Sequence, residues 1–216
     1  TLALGTDFLD FTEDGIETIA NAGTGSIILS AHLGNYEIAG SCFHYRNLKV
    51  AVVMMDSEAE NVRQIYTHLK ASDKLPKVIS INHDEMPAIK ILSALREGYA
   101  VGLHGDRIID DNWVECDFLG GKARIATGAF TMAAAAKVPI ILAFGFRIGF
   151  NRYHFVGRGP HTITLPRGDR KYALQRYAQW YANQLEAVAR AYPYHWFNFF
   201  DFWENPEDIQ EKQGNS

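Results

Sequence analysis

Apolar runs of strand length recur along the chain: SIILSA over 26–31, VAVVMM over 50–55, VISI over 78–81, YAVGLH over 99–104 and PIILAF over 139–144. The first four are continuous rather than alternating, the pattern of strands buried on both faces. Between them the apolar residues fall at steps near 3.6, which is helical spacing. Strands alternating with helices predict parallel βαβ units. The expected fold is therefore α/β, with a largely parallel, mixed central sheet flanked by helices.

Punctuation refines the elements. Gly98 closes the helical segment MPAIKILSALRE before the run that begins at Tyr99, and Ser57 and Asn61 open a polar, helix-like stretch. The longest helical pattern spans 169–192, with Leu174, Tyr177, Tyr181, Leu185 and Val188 at three- and four-residue steps. One face of it is expected to pack on the sheet. No internal repeat, low-complexity tract or flexible linker interrupts the chain, so 1–216 reads as one domain.

Composition narrows the class. At 216 residues and 47% hydrophobic content the chain is long enough for one substantial core. Its 21 Lys plus Arg against 25 Asp plus Glu give a net charge of −4, so no general basic field exists to hold nucleic acid. Cys42 and Cys116 have neither disulfide-framework nor zinc-site spacing, which fits a reducing environment. The strongest apolar stretch, VPIILAFGF, is shorter than the roughly 18 to 20 residues that span a bilayer. Thr1 stands in place of Met with no leader pattern, so a longer parent chain is expected, any membrane anchor lying upstream.

The segment SIILSAHLGNYEIAG puts His32 at the carboxyl end of the first buried strand, with Gly34 and Asn35 where a helix would begin. Open α/β sheets bind ligands at that edge. His32 and Glu37 are five residues apart. On one regular helix that is about 140° of separation, so they meet only if His32 lies in the turn and Glu37 in the first helical turn. A carboxylate there would orient the imidazole and stabilise its protonated form. Exposed N–H groups at Gly34 and Asn35 would suit an oxyanion or an anionic head group. The same spacing recurs at His68 and Asp73, without a buried strand ahead, and reads as structural. For His32 the plainer alternative is a histidine that caps its strand.

SAHLGNYEIAG resembles the H-x4-D/E block of the lysophospholipid acyltransferase superfamily, especially the bacterial lipid A lauroyl/myristoyl acyltransferase family. REGYAVGLHGDR (96–107) resembles the second block, and VECDFLGGKARIATGAFTMAAAAKVPIILAFGFR (114–147) the loop, helix and strand that follow. YPYHWFNFF (192–200) is similar to the terminal Pro-x-x-Trp element through Pro193 and Trp196.

The resemblance implies a glycerolipid acyltransferase-like fold. It makes His32 the general base and Glu37 its partner, acting on a hydroxyl or amine that attacks an acyl carrier protein or coenzyme A thioester. No covalent acyl-enzyme, metal or redox cofactor is implied. Asp106 and Arg107 match the family's Asp-Arg pair and are carried over as positioning residues. Arg124, ahead of Lys122, stands in the loop before the next helix, where a cation would hold an acceptor phosphate or carboxylate. After Trp196 the chain continues NFFDFWENPED, acidic where lipid A enzymes are basic, so the acceptor is left open.

Trp196, Phe197, Phe199, Phe200, Phe202 and Trp203 read either as core or as a membrane-interface cluster, and Arg147, Arg152 and Arg158 either as lipid-attracting or as a solvated edge. The expected location is the cytoplasmic face of the bacterial inner membrane, peripheral or anchored by a segment outside this sequence. Two other function classes compete. His32, His104 and Asp106 all fall near strand ends and are of ligand type, as in a metal-dependent hydrolase. A non-catalytic lipid- or carrier-binding domain is the third, disfavoured by the intact His32 and Glu37.

Overall fold

The computed structural model describes residues 10–14, 25–35, 49–55, 60, 64, 76–81, 86–199 and 202–203. Its strands are β1 (Asp10–Asp14), β2 (Ser26–Ser30), β3 (Val50–Met55), β4 (Lys77–Ile81), β5 (Ala100–His104), β6 (Trp113–Phe118), β7 (Gly121–Ala126), β8 (Ile140–Arg147) and β9 (Arg152–His161). The helices are α1 (Pro87–Arg96), α2 (Gly128–Ala136) and α3 (Arg170–Ala191), followed by a 3-10 turn at Pro193–His195.

Among the described residues, seven strands form one sheet in the order β1-β9-β8-β2-β5-β3-β4. Strands β2, β3, β4, β5 and β8 run parallel, while β9 is antiparallel to β8 and carries β1 parallel to itself. This is the largely parallel, mixed α/β sheet that the apolar runs predict. All five residues of β2 are buried, and so are seven of the eight in β8. Helices pack against β2, and together with its strand neighbours they keep its apolar run continuous. At the sheet edge, β4 buries only Ile79, so its run of apolar residues overstates its burial.

The helix over 87–96 ends as expected. Gly98 adopts φ 85° and donates its N–H to the Leu95 carbonyl, the left-handed stop that glycine tolerates best. The polar stretch opened by Ser57 and Asn61, and the pair His68 and Asp73, lie outside the described residues.

Two features depart from the sequence reading. The stretch expected as a loop at the start of 114–147 is not one: β6 and β7 form an antiparallel hairpin closed by Leu119 and Gly120, both at positive φ. That two-residue turn twists with its strands, which is the reason such turns favour hairpins. Cys116 and Phe118 alternate into the core from β6, and Ala123 and Ile125 do so from β7. Arg124 and Lys122 are therefore strand residues. The second departure is that β8 turns back into a strand of ten residues, β9.

Helix α3 covers both the sheet and the hairpin. Its buried line of Ala178, Tyr181, Ala182, Leu185 and Val188 contains three of the five positions expected from spacing. Its polar side serves the hairpin backbone. Gln179 accepts from the Asp117 N–H and donates to the Asp117 carbonyl, both at 2.9 Å, and Glu186 accepts from the Leu119 N–H at 2.6 Å. Backbone groups left open on an edge strand need such partners.

Tyr181 ties α3 to the end of β2. Its fully buried hydroxyl donates to the Ser30 carbonyl at 2.9 Å, the same oxygen that accepts the Gly105 N–H. Burial pushes the phenol well above its usual range, so it remains a neutral donor. Because Ser30 keeps its second bond, Tyr181→Phe is expected to cost only about 1 kcal/mol, measurable as a lower urea midpoint at unchanged slope.

Candidate functional site

The site grows from the carboxyl ends of β2 and β5, which are hydrogen-bonded neighbours. Register places Ser30 opposite His104, so His32 and Asp106, two residues further on each chain, also meet. The chain leaves β2 toward β3 on one side, whereas β8 turns to β9 on the other. Such a divergence of connections opens a crevice at the carboxyl edge of a sheet.

Asp106 grips His32 twice. Its Oδ2 accepts the His32 backbone N–H at 2.8 Å, and its Oδ1 lies 3.0 Å from the ring Nδ1. A carboxylate only accepts, so Nδ1 carries the proton and Nε2 holds the lone pair. Asp106 is 4% exposed, and its two bonds to His32 help compensate for its desolvation. This is the base-and-orienter arrangement of general-base catalysis.

His104 stands on the other side of the ring. Its Nδ1 is 3.3 Å from His32 Nε2, and the two rings meet edge to face with centroids 4.3 Å apart. Burial pushes its imidazole down to about 4, and the neighbouring His32 and Arg107 push in the same direction against Asp106. His104 is therefore neutral at physiological pH, while its neighbour His32 has the carboxylate.

The loop carrying His32 is fixed from behind by the chain's distant C-terminal part. Leu33 forms an antiparallel bridge with Trp196; the Phe197 N–H donates to the His32 carbonyl at 2.9 Å, and the Gly34 N–H donates to the His195 carbonyl at 2.7 Å. The Asn35 N–H donates to the Gly145 carbonyl at 2.6 Å. This corrects the expectation for Gly34 and Asn35: their N–H groups are not open to an oxyanion, because the extended end of β8 and the segment around His195 use them. These two backbone bonds hold the turn.

Glu37, the partner expected from spacing, lies outside the described residues. In the described part both ring nitrogens of His32 are engaged by residues from the end of β5, pairings across 74 and 72 positions that no local motif announces. Asp106 thus touches His32 directly rather than acting at a distance. Arg107 follows it and is exposed. Arg124 lies on the hairpin with its guanidinium 3.9 Å over the Trp113 ring, and Lys122 pairs with Asp117 across the same hairpin at 2.5 Å, with both partners exposed.

The three residues of the metal reading do come together, but not as ligands. Nδ1 of His32 is directed at Asp106 and Nε2 at His104, so their donor atoms face one another instead of converging on a common point. Among the described residues no cluster of three or more His, Cys, Asp or Glu is arranged to hold a metal ion.

The aromatic cluster divides. Trp196 packs edge to face on Phe118, and Phe202 is buried, whereas Phe197 is 48% and Phe199 88% exposed. Phe200 lies outside the described residues. Arg147 uses its guanidinium on the Gly149 and Phe150 carbonyls and so braces the β8–β9 turn. Among the described residues no helix is long and apolar enough to cross a membrane.

Comparison with known proteins meets this geometry. A phosphatidylinositol mannoside acyltransferase of Mycobacterium tuberculosis is 25% identical over 129 residues, 59% of this chain and 40% of that protein, so the chain spans about 40% of the length of that relative. The pilus retraction motor PilT, in a crystal structure with bound ADP, is 12% identical, covering 95% of this chain and 68% of its own, with a TM-score of 0.35. At that score the likeness carries no argument. The model of the bacterial lipid A biosynthesis acyltransferases matches residues 10–204, a span that holds the His32 turn, Asp106, the hairpin and Trp196, and the chain belongs to that family.

Proposed function

We propose that the protein moves a fatty acyl group from an acyl carrier protein or coenzyme A thioester to a hydroxyl or amine of a lipid or glycolipid acceptor. The observation that carries this reading is the His32–Asp106 pair at the sheet's carboxyl edge, with Nδ1 held 3.0 Å from a buried carboxylate. An acceptor hydroxyl attacks the thioester carbonyl while its proton passes to His32, and Asp106 stabilises the imidazolium. When the tetrahedral intermediate collapses the C–S bond breaks, and the thiolate leaves with the proton that His32 returns. These steps use neither a metal nor a redox cofactor and form no acyl-enzyme.

Other residues fit around this centre. Glu37 is proposed as a second carboxylate for the base. Arg107, exposed beside Asp106, and Arg124 are proposed to hold a phosphate or carboxylate of the acceptor. The exposed Phe197, whose backbone is bonded to the turn that carries His32, and its ring neighbour Phe199 suit a lipid surface. The proposed location is the cytoplasmic face of the bacterial inner membrane, where acyl thioesters meet lipid acceptors, peripheral or held by an anchor outside this sequence.

Incubation with radiolabelled acyl carrier protein thioester and a bacterial lipid extract tests the reading. Label is expected in lipid. Label recovered only as free fatty acid, and abolished by chelator, would instead support the hydrolase. Asp106→Asn and Glu37→Gln then separate the two carboxylates: Asp106→Asn is expected to lower kcat by roughly tenfold or more, because the amide favours the wrong tautomer. A larger loss from Glu37→Gln would transfer the orienting role to position 37.

A further inference from the structure

The turn between β8 and β9 carries a phenylalanine into solvent: Phe150 is 85% exposed, with the exposed Ile148 two residues before it. We infer that the carboxyl edge of the sheet around His32 is a docking face for an anionic lipid bilayer, into which the β8–β9 turn inserts Phe150. This rests on the acyl-transfer reading above and says how the protein meets its lipid acceptor.

Isolated apolar side chains on a surface are ordinary, but these gather at one end of the sheet. After β5 the chain exposes Ile109, and after α3 it exposes Tyr194, to 96%, and Phe199. The β8–β9 turn and the segment around Tyr194 are neighbours, because Phe146 stacks on Tyr192 with ring centroids 4.0 Å apart and meets His195 edge to face. Both adjoin the turn of His32: the Gly145 carbonyl accepts the Asn35 N–H, and the His195 carbonyl accepts that of Gly34. From Gly145 to Phe150 is no more than roughly 18 Å of extended chain. At the opposite end of the sheet the exposed large apolar side chain among the described residues is Tyr172, in the first turn of α3.

The backbone of the turn suits a medium poor in hydrogen-bond partners. Arg147 donates from Nε to the Gly149 carbonyl and from Nη2 to the Phe150 carbonyl, both at 3.0 Å, and the Ile148 N–H donates to the Arg152 carbonyl at 2.9 Å. A carbonyl carried toward lipid without a donor is costly, and these two already have one. Charge favours an anionic surface. Between Asp117 and Asp169 the chain has seven Lys and Arg and no Asp or Glu, although its net charge is −4, and Arg147 and Arg152 of this stretch bracket Phe150. Cations beside an inserted ring are drawn to anionic head groups. The exposed Asp110 and Asp111 follow β5, on the other side of β2 from β8, so the β8 side leads into the membrane.

Flotation of the 216-residue chain with lipid vesicles tests the face. Wild type is expected to bind vesicles of phosphatidylglycerol and phosphatidylcholine, more weakly as salt rises, and to bind phosphatidylcholine alone less well. Phe150→Asp puts a charge where the ring inserts and is expected to weaken binding roughly tenfold or more, with an unchanged urea midpoint. Tyr172→Asp, at the opposite end, is expected to bind as wild type does. Phe150→Trp reads insertion directly: brominated phosphatidylcholine in the mixed vesicles is expected to quench its fluorescence beyond that of wild type, and to add no quenching in Tyr172→Trp. No binding by wild type, binding indifferent to lipid charge and salt, or equal binding by wild type and Phe150→Asp would overturn the docking face. A dimer in solution that Phe150→Asp dissociates, with no vesicle binding, would give the face to a second copy and overturn it equally. Binding requires no turnover, so the two readings fail separately: a vesicle-bound protein that transfers no acyl group would overturn the acyl-transfer function and not the face.

Discussion

His32→Ala is expected to lower kcat for acyl transfer by roughly 10²- to 10⁴-fold, the range over which a positioned general base contributes. The loss follows from where the proton must go. A neutral alcohol attacks a thioester poorly unless its proton is removed as the C–O bond forms, and His32 is the imidazole paired with a buried carboxylate. Removing the ring also deprives Asp106 of its Oδ1 partner, although Oδ2 retains the backbone N–H at position 32. A stability cost of about 1–3 kcal/mol is expected from the buried acceptor left short of a donor. His32→Gln separates the effects, because its amide gives Asp106 a donor but cannot act as a base. It should lose activity to a similar degree with a smaller fall in the urea midpoint. Retention of more than about a tenth of wild-type kcat by both variants would remove His32 from the chemistry.

The sequence made the centre of the fold readable and its margins much less so. The runs at 26–31 and 139–144 stand out because β2 and β8 have neighbours on both sides and layers on both faces, so nearly every position is apolar. The hairpin was hidden because its turn is Leu-Gly rather than Asn-Gly or Asp-Gly, and because its first strand alternates the exposed Glu115 and Asp117 with the buried Cys116 and Phe118 instead of forming a continuous apolar run. Its edge is satisfied by Gln179 and Glu186 of α3, side chains that read as an ordinary solvated helix face. At the site, His32 was legible from its position after a buried strand. The carboxylate that holds its ring among the described residues was not legible as its partner, because Asp106 approaches through strand pairing and local spacing offered only Glu37. The trio of His32, His104 and Asp106 was visible as a group of ligand-type residues, but sequence does not carry donor-atom directions, and in the structure those atoms face one another instead of converging on a common point.

Gly34→Ala is expected to destabilise the protein by roughly 3 to 6 kcal/mol, a large share of the 5–15 kcal/mol that typical domains possess. Gly34 has φ 78°, which costs an L side chain about 1–2 kcal/mol. The larger obstacle is space: a Cβ would stand 2.1 Å from the Gly145 carbonyl oxygen and 3.0 Å from Phe146 Cδ1. The first is backbone of a central strand and has no rotamer to yield. Relief therefore requires the turn to move away from β8, which stretches the Asn35 bond to Gly145 and the Gly34 bond to His195, each worth about 1 kcal/mol. Those bonds also set the position of His32, since the Phe197 N–H holds the His32 carbonyl from the same C-terminal segment. Any Gly34→Ala protein that folds is thus expected to lose kcat as well, because a shift on the order of 1 Å in a catalytic group costs about 10²-fold. Urea unfolding and turnover measured together decide it. A variant within about 0.5 kcal/mol of wild type and fully active would mean that the turn is not seated on β8, and would remove the stated reason for glycine at this position.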